Sequence, residues 1–171
     1  MKEIYKQLLK NGIKEENIFL NEPMNKHISF KTGGNADVFI RACSIEEIKS
    51  VLKISKENNI PLFVLGNGTN LLVKDEGYRG IVIQIKLEDI NINETIVTVQ
   101  SGVKNSILAK KLLDNSLMGF EFAAGIPGTL GGAIKMNAGA FGKCIADAIS
   151  KVGVLRNGKV VEFSARECAF S

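Results

Sequence analysis

The spacing of hydrophobic and polar residues in the first third of the chain predicts two amphipathic helices and two strands. Residues 1–12 place lysines four apart with isoleucine and leucine between them, the pattern of a surface helix. Residues 37–41 predict a strand, and Ser44 with Glu47 forms a capping box that begins a second helix. Residues 62–65 are continuously apolar, which is typical of a strand buried on both faces in a parallel βαβ unit.

The remainder of the chain is richer in extended segments. Residues 81–85 and 95–99 flank a polar connection, and they predict two antiparallel neighbours. Residues 105–115 carry leucines on one face and lysines on the other, which predicts a helix. Near the C-terminus two extended runs flank Asn157-Gly158, the dipeptide most typical of a two-residue β-hairpin. We expect a lobe boundary near residues 85–93, with an α/β lobe over 1–88 and an α+β lobe over 89–171.

Composition narrows the class of protein. The 171 residues are 45% hydrophobic and 23% charged, which is ordinary for a soluble chain that buries a sizeable core. The net charge is +4, and because the basic residues are spread along the chain we expect no nucleic-acid partner. No stretch reaches the ~18 to 20 apolar residues of a membrane span, and no signal peptide precedes the first helix. Together with the scattered cysteines, these features predict a cytoplasmic protein without membrane association.

Few side chains are suited to metal binding or nucleophilic catalysis. The only histidine is His27, and Cys43, Cys144 and Cys168 show no metal-ligand spacing. His27 lies in a polar stretch away from any nucleophile motif, so we expect a hydrogen-bonded loop or strand-entry residue there. No metal site and no catalytic residue are therefore assigned to this chain.

The first glycine-rich segment directly follows the apolar run at residues 62–65 and predicts an anion-binding loop. Its glycines let the backbone turn sharply and bring amides close to an anion. Leu71 occupies the third-glycine position of a dinucleotide fingerprint, and a Walker A lysine is absent. The nearest cation along the sequence is Lys74, so we expect backbone amides to bind the anion, each contributing about 1.5 to 3 kcal/mol. A turn without any ligand is the alternative. The residues concerned are Gly66, Asn67, Gly68, Thr69, Asn70 and Leu71.

A second glycine-rich segment covers residues 123–142. Seven of the 17 glycines lie between Gly119 and Gly142. Pro127 predicts the start of a helix whose free amides face an anion, and Gly131 and Gly132 would then lie inside that helix, at about 0.5 to 1 kcal/mol each relative to alanine. Either another element packs very closely there, or a flat ligand lies against a surface without side chains. We favour the ligand surface because it also accounts for the other glycines.

Three segments resemble the UDP-N-acetylenolpyruvoylglucosamine reductases, flavoenzymes of bacterial peptidoglycan precursor synthesis. Residues 27–37 resemble the opening motif of that family, residues 66–72 its first FAD loop and residues 125–142 its second. Ile28, Asn35 and Thr69 stand where the family more often has threonine, proline and serine. None of these departures replaces a glycine.

The resemblance implies a fold, a cofactor and a set of binding residues. The fold would be the two-lobed α+β FAD-binding fold of the vanillyl-alcohol-oxidase/PCMH type, with FAD bound non-covalently. The first loop would hold the FAD pyrophosphate. The second segment would line the cofactor cleft through Ala124, Gly125, Ile126, Pro127, Gly128, Thr129, Gly131 and Gly132, with further contacts from Asn137, Ala138, Gly139 and Ala140.

The resemblance also implies a reaction. NADPH would reduce the flavin, which would reduce UDP-N-acetylglucosamine enolpyruvate to UDP-N-acetylmuramate, with a serine as proton donor. In the family that serine and a glutamate lie in a third, substrate-binding lobe, so we expect this chain to be an N-terminal portion. Ser164 with Glu167 predicts a helix that begins close to the end of the chain, which agrees with that expectation. Two alternatives stay open: another flavoprotein of the same fold, and a nucleotide-binding module without redox chemistry.

Overall fold

The first of two compact units is built around a four-stranded sheet. The structure is a computed structural model that describes residues 1–170; the first unit is Met1–Glu88 and the second begins at Asp89. The helices and strands of the first unit are α1 (Lys2–Lys10), β1 (Ile18–Pro23), β2 (Asn35–Ala42), α2 (Ile45–Glu57), β3 (Leu62–Leu65) and β4 (Tyr78–Ile85), with 3-10 helices at Glu15–Asn17 and Met24–Lys26.

The strand order is β1-β2-β4-β3, with β2 and β3 both parallel to β4 and β1 antiparallel to β2. The predicted strand, helix and strand are present, but β4 lies between the two strands that α2 connects. Ser44 caps α2 by accepting a hydrogen bond from the Glu47 amide (3.1 Å), as the capping box predicts. Because the carboxyl ends of parallel strands share one edge, the segments after β2, β3 and β4 all leave the sheet at that edge.

Each face of this sheet packs against its own hydrophobic cluster. On one face, α1 and α2 bury side chains against alternate residues of β2 and β4; this cluster contains Leu8, Val38, Ile40, Val51, Ile54, Ile81 and Ile83. On the other face, Phe39 and Val82 pack with Leu65, Met24 and Ile28. The period of two along β2 and β4 therefore supplies both clusters.

The prediction that residues 62–65 are buried on both faces is wrong. β3 is an edge strand, and Val64 is 58% exposed while Phe63 is 36% exposed. A short apolar run has the same composition in a central and in an edge strand. Its burial is decided by the strands that flank it.

The second unit contains shorter elements. They are β5 (Ile90–Asn93), β6 (Ile96–Val99), α3 (Asn105–Asp114), α4 (Leu130–Lys135), β7 (Gly139–Ala140), β8 (Lys143–Cys144), α5 (Ile145–Ala148), β9 (Lys151–Arg156) and β10 (Lys159–Ser164), with a 3-10 helix at Glu121–Ala123. The strands pair antiparallel as β5 with β6, β7 with β8 and β9 with β10. One hydrophobic cluster joins α3, α4 and the 3-10 helix through Leu108, Leu112, Phe122, Leu130 and Ala133.

The predicted pairing of residues 81–85 with 95–99 is wrong. The first of these segments is β4, whose neighbours are β2 and β3, whereas β6 pairs with β5. The connection around Asn91 and Asn93 is itself a strand, because its asparagines alternate with partly buried isoleucines. The low strand propensity of asparagine concealed that alternation.

The other local predictions have mixed outcomes. The hairpin at Asn157 and Gly158 is confirmed, with φ angles of 50° and 75° at the two turn positions. The predicted helix start at Pro127 is wrong, since α4 begins at Leu130 after an N-cap at Thr129. At Ser164 the capping-box hydrogen bonds with Glu167 form, but a turn follows instead of a helix.

None of the helices formed by residues 1–170 has both the length and the apolarity needed to cross a membrane.

Candidate functional site

The loop formed by residues 66–71 leaves β3 at the carboxyl edge of the first unit's sheet. The Gly66 carbonyl accepts a hydrogen bond from Gln84 Nε2 (3.0 Å), and the Gly68 carbonyl accepts one from the Ser29 amide (3.0 Å). Neither bond uses an amide of the loop. Both bonds anchor the loop through the carbonyl groups of Gly66 and Gly68.

Gly68 is required by close packing of the backbone. Its φ is +63°, in the left-handed region, and an added Cβ would overlap the His27 carbonyl oxygen and come within 3.0 Å of Ile28 Cα. The segment at residues 27–28 occupies the space that a side chain would need. The protein's own backbone therefore requires a glycine at this position.

A groove of about 560 Å³ lies beside this loop, and its lining is strongly basic. It is lined by Lys26, Lys31, Arg41 and Lys86 together with Asn67 of the loop, and among residues 1–170 no acidic side chain lines it. Four cations therefore converge on one concavity, which we call the basic groove. The sequence analysis found no cation near the loop except Lys74, because these four residues are distant from it along the chain.

His27 is fixed on the wall of the basic groove. Its Nε2 lies 2.9 Å from Glu22 Oε1, and its ring stacks on Phe39 with the ring centroids 3.9 Å apart. The side chain is only 8% exposed. These contacts confirm the predicted hydrogen-bonded loop residue.

In the second unit, Asn105 at the start of α3 holds the segment at residues 124–129. Asn105 is fully buried; its Nδ2 donates to the Ile126 carbonyl (3.2 Å) and its backbone amide donates to the Gly128 carbonyl (3.1 Å). The Asn105 Oδ1 atom is buried without a hydrogen-bond partner among residues 1–170. The sequence analysis did not identify this residue, since an asparagine at a helix start resembles an ordinary helix-terminal residue.

The glycines of the second segment have different causes. At Gly131 an added Cβ would lie 2.7 Å from Ser101 Cβ, and the Gly131 amide donates to the Ser101 carbonyl (2.8 Å). Gly139 is similarly crowded, with the Lys143 carbonyl oxygen 2.7 Å away from an added Cβ. At Gly125 the added Cβ would meet nothing within 4 Å, and at Gly132 only Thr129 Oγ1 at 3.5 Å. Close packing thus explains Gly131 and Gly139, and it does not explain Gly125 and Gly132.

Residues 137–140 are engaged in holding neighbouring elements. Asn137 Oδ1 accepts a hydrogen bond from the Ala146 amide at α5 (3.1 Å), and the Ala138 amide donates to the Ala133 carbonyl (2.9 Å). Gly139 and Ala140 form β7. Asp147 lies in α5, next to this segment. Its Oδ2 atom accepts a hydrogen bond from the Cys144 amide (2.8 Å), and that bond lowers the pKa of the Asp147 carboxyl group.

The candidate residues are divided between the two units. Residues 66–71 lie in the first unit, and residues 124–132 and 137–140 lie in the second. Their assignment to a cofactor stays a prediction. Among the described residues no group of three or more histidine, cysteine, aspartate or glutamate side chains could hold a metal ion.

Comparison with known proteins identifies the family. The model of a family described as FAD binding domain matches residues 36–164 of this chain. The chain belongs to that family. Both glycine-rich segments lie within the matched range.

The similar curated proteins carry a more specific name. The chain is 46% identical to the UDP-N-acetylenolpyruvoylglucosamine reductase of Clostridioides difficile (strain 630), over 98% of this chain and 56% of that protein. It is 44% identical to the protein of the same name from Caldanaerobacter subterraneus subsp. tengcongensis, over 100% of this chain and 57% of that protein. These likenesses confirm the resemblance stated above over the FAD-binding region. The chain spans a little over half the length of these relatives.

Solved structures confirm the predicted two-lobed α+β fold of the vanillyl-alcohol-oxidase/PCMH type. The UDP-N-acetylenolpyruvylglucosamine reductase from Thermus caldophilus matches with a TM-score of 0.73 and 31% identity, over 88% of this chain and 52% of that one. The p-cresol methylhydroxylase matches with a TM-score of 0.62 and 19% identity, over 94% of this chain and 35% of that one. At 19% identity the second likeness shows the fold alone.

The residues of the first unit fit the diphosphate of an FAD. The loop at residues 66–71 is anchored through carbonyls, and the basic groove beside it presents cations without a lining carboxylate. The Arg41 guanidinium also lines the groove and lies 4.9 Å from the centroid of the Phe19 ring. A concentration of positive charge without a lining carboxylate is what a diphosphate requires.

Proposed function

We propose that this chain is the FAD-binding portion of a UDP-N-acetylenolpyruvoylglucosamine reductase. The observation that carries the proposal is the 46% identity with a relative of that name over 98% of the chain, a match that spans both glycine-rich segments. The carbonyl-anchored loop after β3 and the basic groove beside it support the same conclusion.

Within this proposal the chain's own residues bind and orient the cofactor. The amides of residues 66–71 hold the diphosphate, and residues 124–132 give a surface on which Gly125 and Gly132 leave room for a flat ring. Asn105 keeps that second segment in place through its two hydrogen bonds. Residues 137–140 contribute through the position of β7, and no covalent attachment of FAD is proposed.

The reaction belongs to the whole protein, and we propose it from the relatives' name. When bound, FAD supplies a carrier that accepts a hydride from NADPH and passes it to the double bond of UDP-N-acetylglucosamine enolpyruvate. The substrate must be held with its reacting carbon about 3 to 3.5 Å from that carrier, and a proton donor must reach the adjacent carbon. We assign neither the substrate site nor the proton donor to a residue of this chain.

The experiment that tests the proposal is a titration of the FAD-free protein with FAD, followed by flavin fluorescence and visible absorption. We expect saturable binding with one FAD per chain, and free FAD in the supernatant after denaturation. A colourless protein that leaves the fluorescence of added FAD unchanged over the whole titration contradicts the assignment.

A further inference from the structure

The four cations of the basic groove differ in whether a carboxylate lies near them. Lys26 Nζ lies 3.4 Å from Glu22 Oε1, and Lys86 Nζ lies 3.2 Å from Glu88 Oε1, so each of these cations has a carboxylate nearby. In the part of the chain that the structure describes, Lys31 and Arg41 form no ion pair within 4.0 Å. Two of the four cations in the groove are therefore available to an anion from outside the chain.

Arg41 is held in a position that favours binding. Its guanidinium carbon lies 4.9 Å from the centroid of the Phe19 ring, so the planar group is supported on one side by an aromatic face. Its Nε atom is buried, and no acceptor for it exists among residues 1–170. The guanidinium is therefore partly fixed before an anion binds, which lowers the side-chain entropy that binding costs.

The register of the sheet places Arg41 next to the glycine-rich loop. Arg41 of β2 lies opposite Gln84 of β4, and the Gln84 side chain donates to the Gly66 carbonyl, the first residue of the loop. Lys31, Arg41 and Asn67 of the loop all line the groove, so an anion in the groove lies beside both cations and the loop. Arginine suits a phosphoryl group because its planar fork donates two hydrogen bonds at once.

We propose that the basic groove binds a phosphoryl anion through the side chains of Arg41 and Lys31, beside the loop at residues 66–71. Two ligands contain such an anion: FAD, through its diphosphate, and a second phosphorylated small molecule. Where the anion is the diphosphate of FAD, the inference rests on the proposed function and adds two side-chain ligands to it. The glycine-rich sequence of the loop by itself predicts binding by backbone amides alone.

The test measures binding of inorganic pyrophosphate to the 171-residue chain by calorimetry, at low and at physiological salt. Arg41→Gln and Lys31→Gln should each raise the pyrophosphate Kd by about tenfold to a hundredfold, as expected for loss of a charge-assisted hydrogen bond. Arg41→Lys should restore part of the affinity because it keeps the charge and loses the fork. Lys10→Gln, the same charge change on exposed α1, is the matched control and should bind as the unmodified chain does.

The outcomes separate this inference from the proposed function. An unchanged pyrophosphate Kd in folded Lys31→Gln and Arg41→Gln overturns the inference, even if FAD binds normally. Pyrophosphate binding that is lost in both variants, in a chain that binds no FAD, supports the inference and contradicts the proposed function. In a chain loaded with FAD, competition by pyrophosphate identifies the FAD diphosphate as the anion, and binding alongside FAD identifies a second phosphorylated ligand. Because Lys31 is exposed, its variant tests the groove even if Arg41→Gln lowers stability.

Discussion

Single residues in this chain show that a glycine-rich segment does not have one cause. Gly68 and Gly131 leave room for backbone and side chain of the same unit, since an added Cβ would meet His27 at the first and Ser101 at the second. Gly125 faces open space within its own unit. Substitution by alanine at these positions should therefore separate packing from ligand binding.

Gly68→Ala should destabilise the protein, and Gly125→Ala should weaken FAD binding. The first substitution forces a side chain into the left-handed region and against the His27 carbonyl, at a cost of about 1 to 3 kcal/mol or more. The second meets no atom of its own unit, so its effect on the unfolding free energy should stay within about 0.5 kcal/mol. Melting temperatures of the FAD-free variants and their FAD dissociation constants measure the two effects.

Gly131→Ala provides the comparison within the second segment, because its added Cβ would press on Ser101. It should behave as Gly68→Ala does, with a lowered melting temperature. If instead Gly125→Ala lowers the melting temperature and leaves the FAD dissociation constant unchanged, the ligand surface at Gly125 is disproved.

Asp147→Asn should lower the melting temperature at neutral pH and have little effect in acid. The hydrogen bonds from Cys144 lower the pKa of the Asp147 carboxyl in the folded protein. A lowered pKa means that the ionised group stabilises the fold above its ordinary pKa of about 4, and that this stabilisation is lost as the pH falls through the folded value. The difference between variant and unmodified chain, followed from pH 7 downward, should shrink accordingly.

Asp114→Asn is the matched control for that measurement, since Asp114 is exposed at the end of α3. It should not reproduce the pH-dependent difference. A melting-temperature gap for Asp147→Asn that stays constant from neutral pH to about pH 3 would show that the carboxylate charge is irrelevant.

At the scale of elements, Asn105, the first residue of α3, holds the second glycine-rich segment in place. The Asn105 side chain and backbone amide bind two carbonyls of residues 124–129, and Leu130 donates to the Val103 carbonyl just before α3 (2.8 Å). In the first unit, β2 and β4 have a corresponding role, because their register brings Arg41 and Gln84 to the loop after β3. In both units regular elements position an irregular segment.

Asn105→Ala should loosen the second segment and weaken FAD binding. The substitution leaves the Ile126 carbonyl without its side-chain donor, which should cost about 1 to 3 kcal/mol in unfolding free energy. We expect a lower melting temperature and a raised FAD dissociation constant, measured on the same preparations. Ser106→Ala changes the exposed neighbour and should alter neither by more than experimental error. A normal melting temperature for Asn105→Ala would mean that α3 does not support this segment.

At the scale of the whole molecule, two units each contribute one glycine-rich segment, and the chain spans about 56% of a relative's length. We assign cofactor binding to these units and no catalytic group to either. Binding and turnover should therefore be separable in this chain.

The 171-residue chain by itself should not consume NADPH in response to UDP-N-acetylglucosamine enolpyruvate. Positioning a substrate can account for about 7 to 11 kcal/mol of a reaction barrier. We assign substrate positioning to no residue of this chain. The rate of NADPH oxidation, measured with and without the substrate on a verified FAD-loaded preparation, should be the same. Substrate-dependent oxidation would show that catalytic groups lie within these two units.

The sequence by itself determined the features that depend on near neighbours. The amphipathic period of α1, the Ser44 cap of α2 and the Asn157-Gly158 hairpin all follow from interactions within a few residues, and the structure has each of them. The loop at residues 66–71 was also predictable, because glycines directly after a strand allow the backbone to turn.

The tertiary structure alone decided which distant segments meet. A strand's hydrogen-bonding edge accepts any partner, so nothing in residues 81–85 showed that β4 would pair with β2 and β3. The space denied to a Cβ at Gly68 is occupied by His27, and the cations of the basic groove come from three separate stretches of chain. These features arise from the packing of residues far apart in sequence, and packing leaves no period or local motif by which they could be recognised.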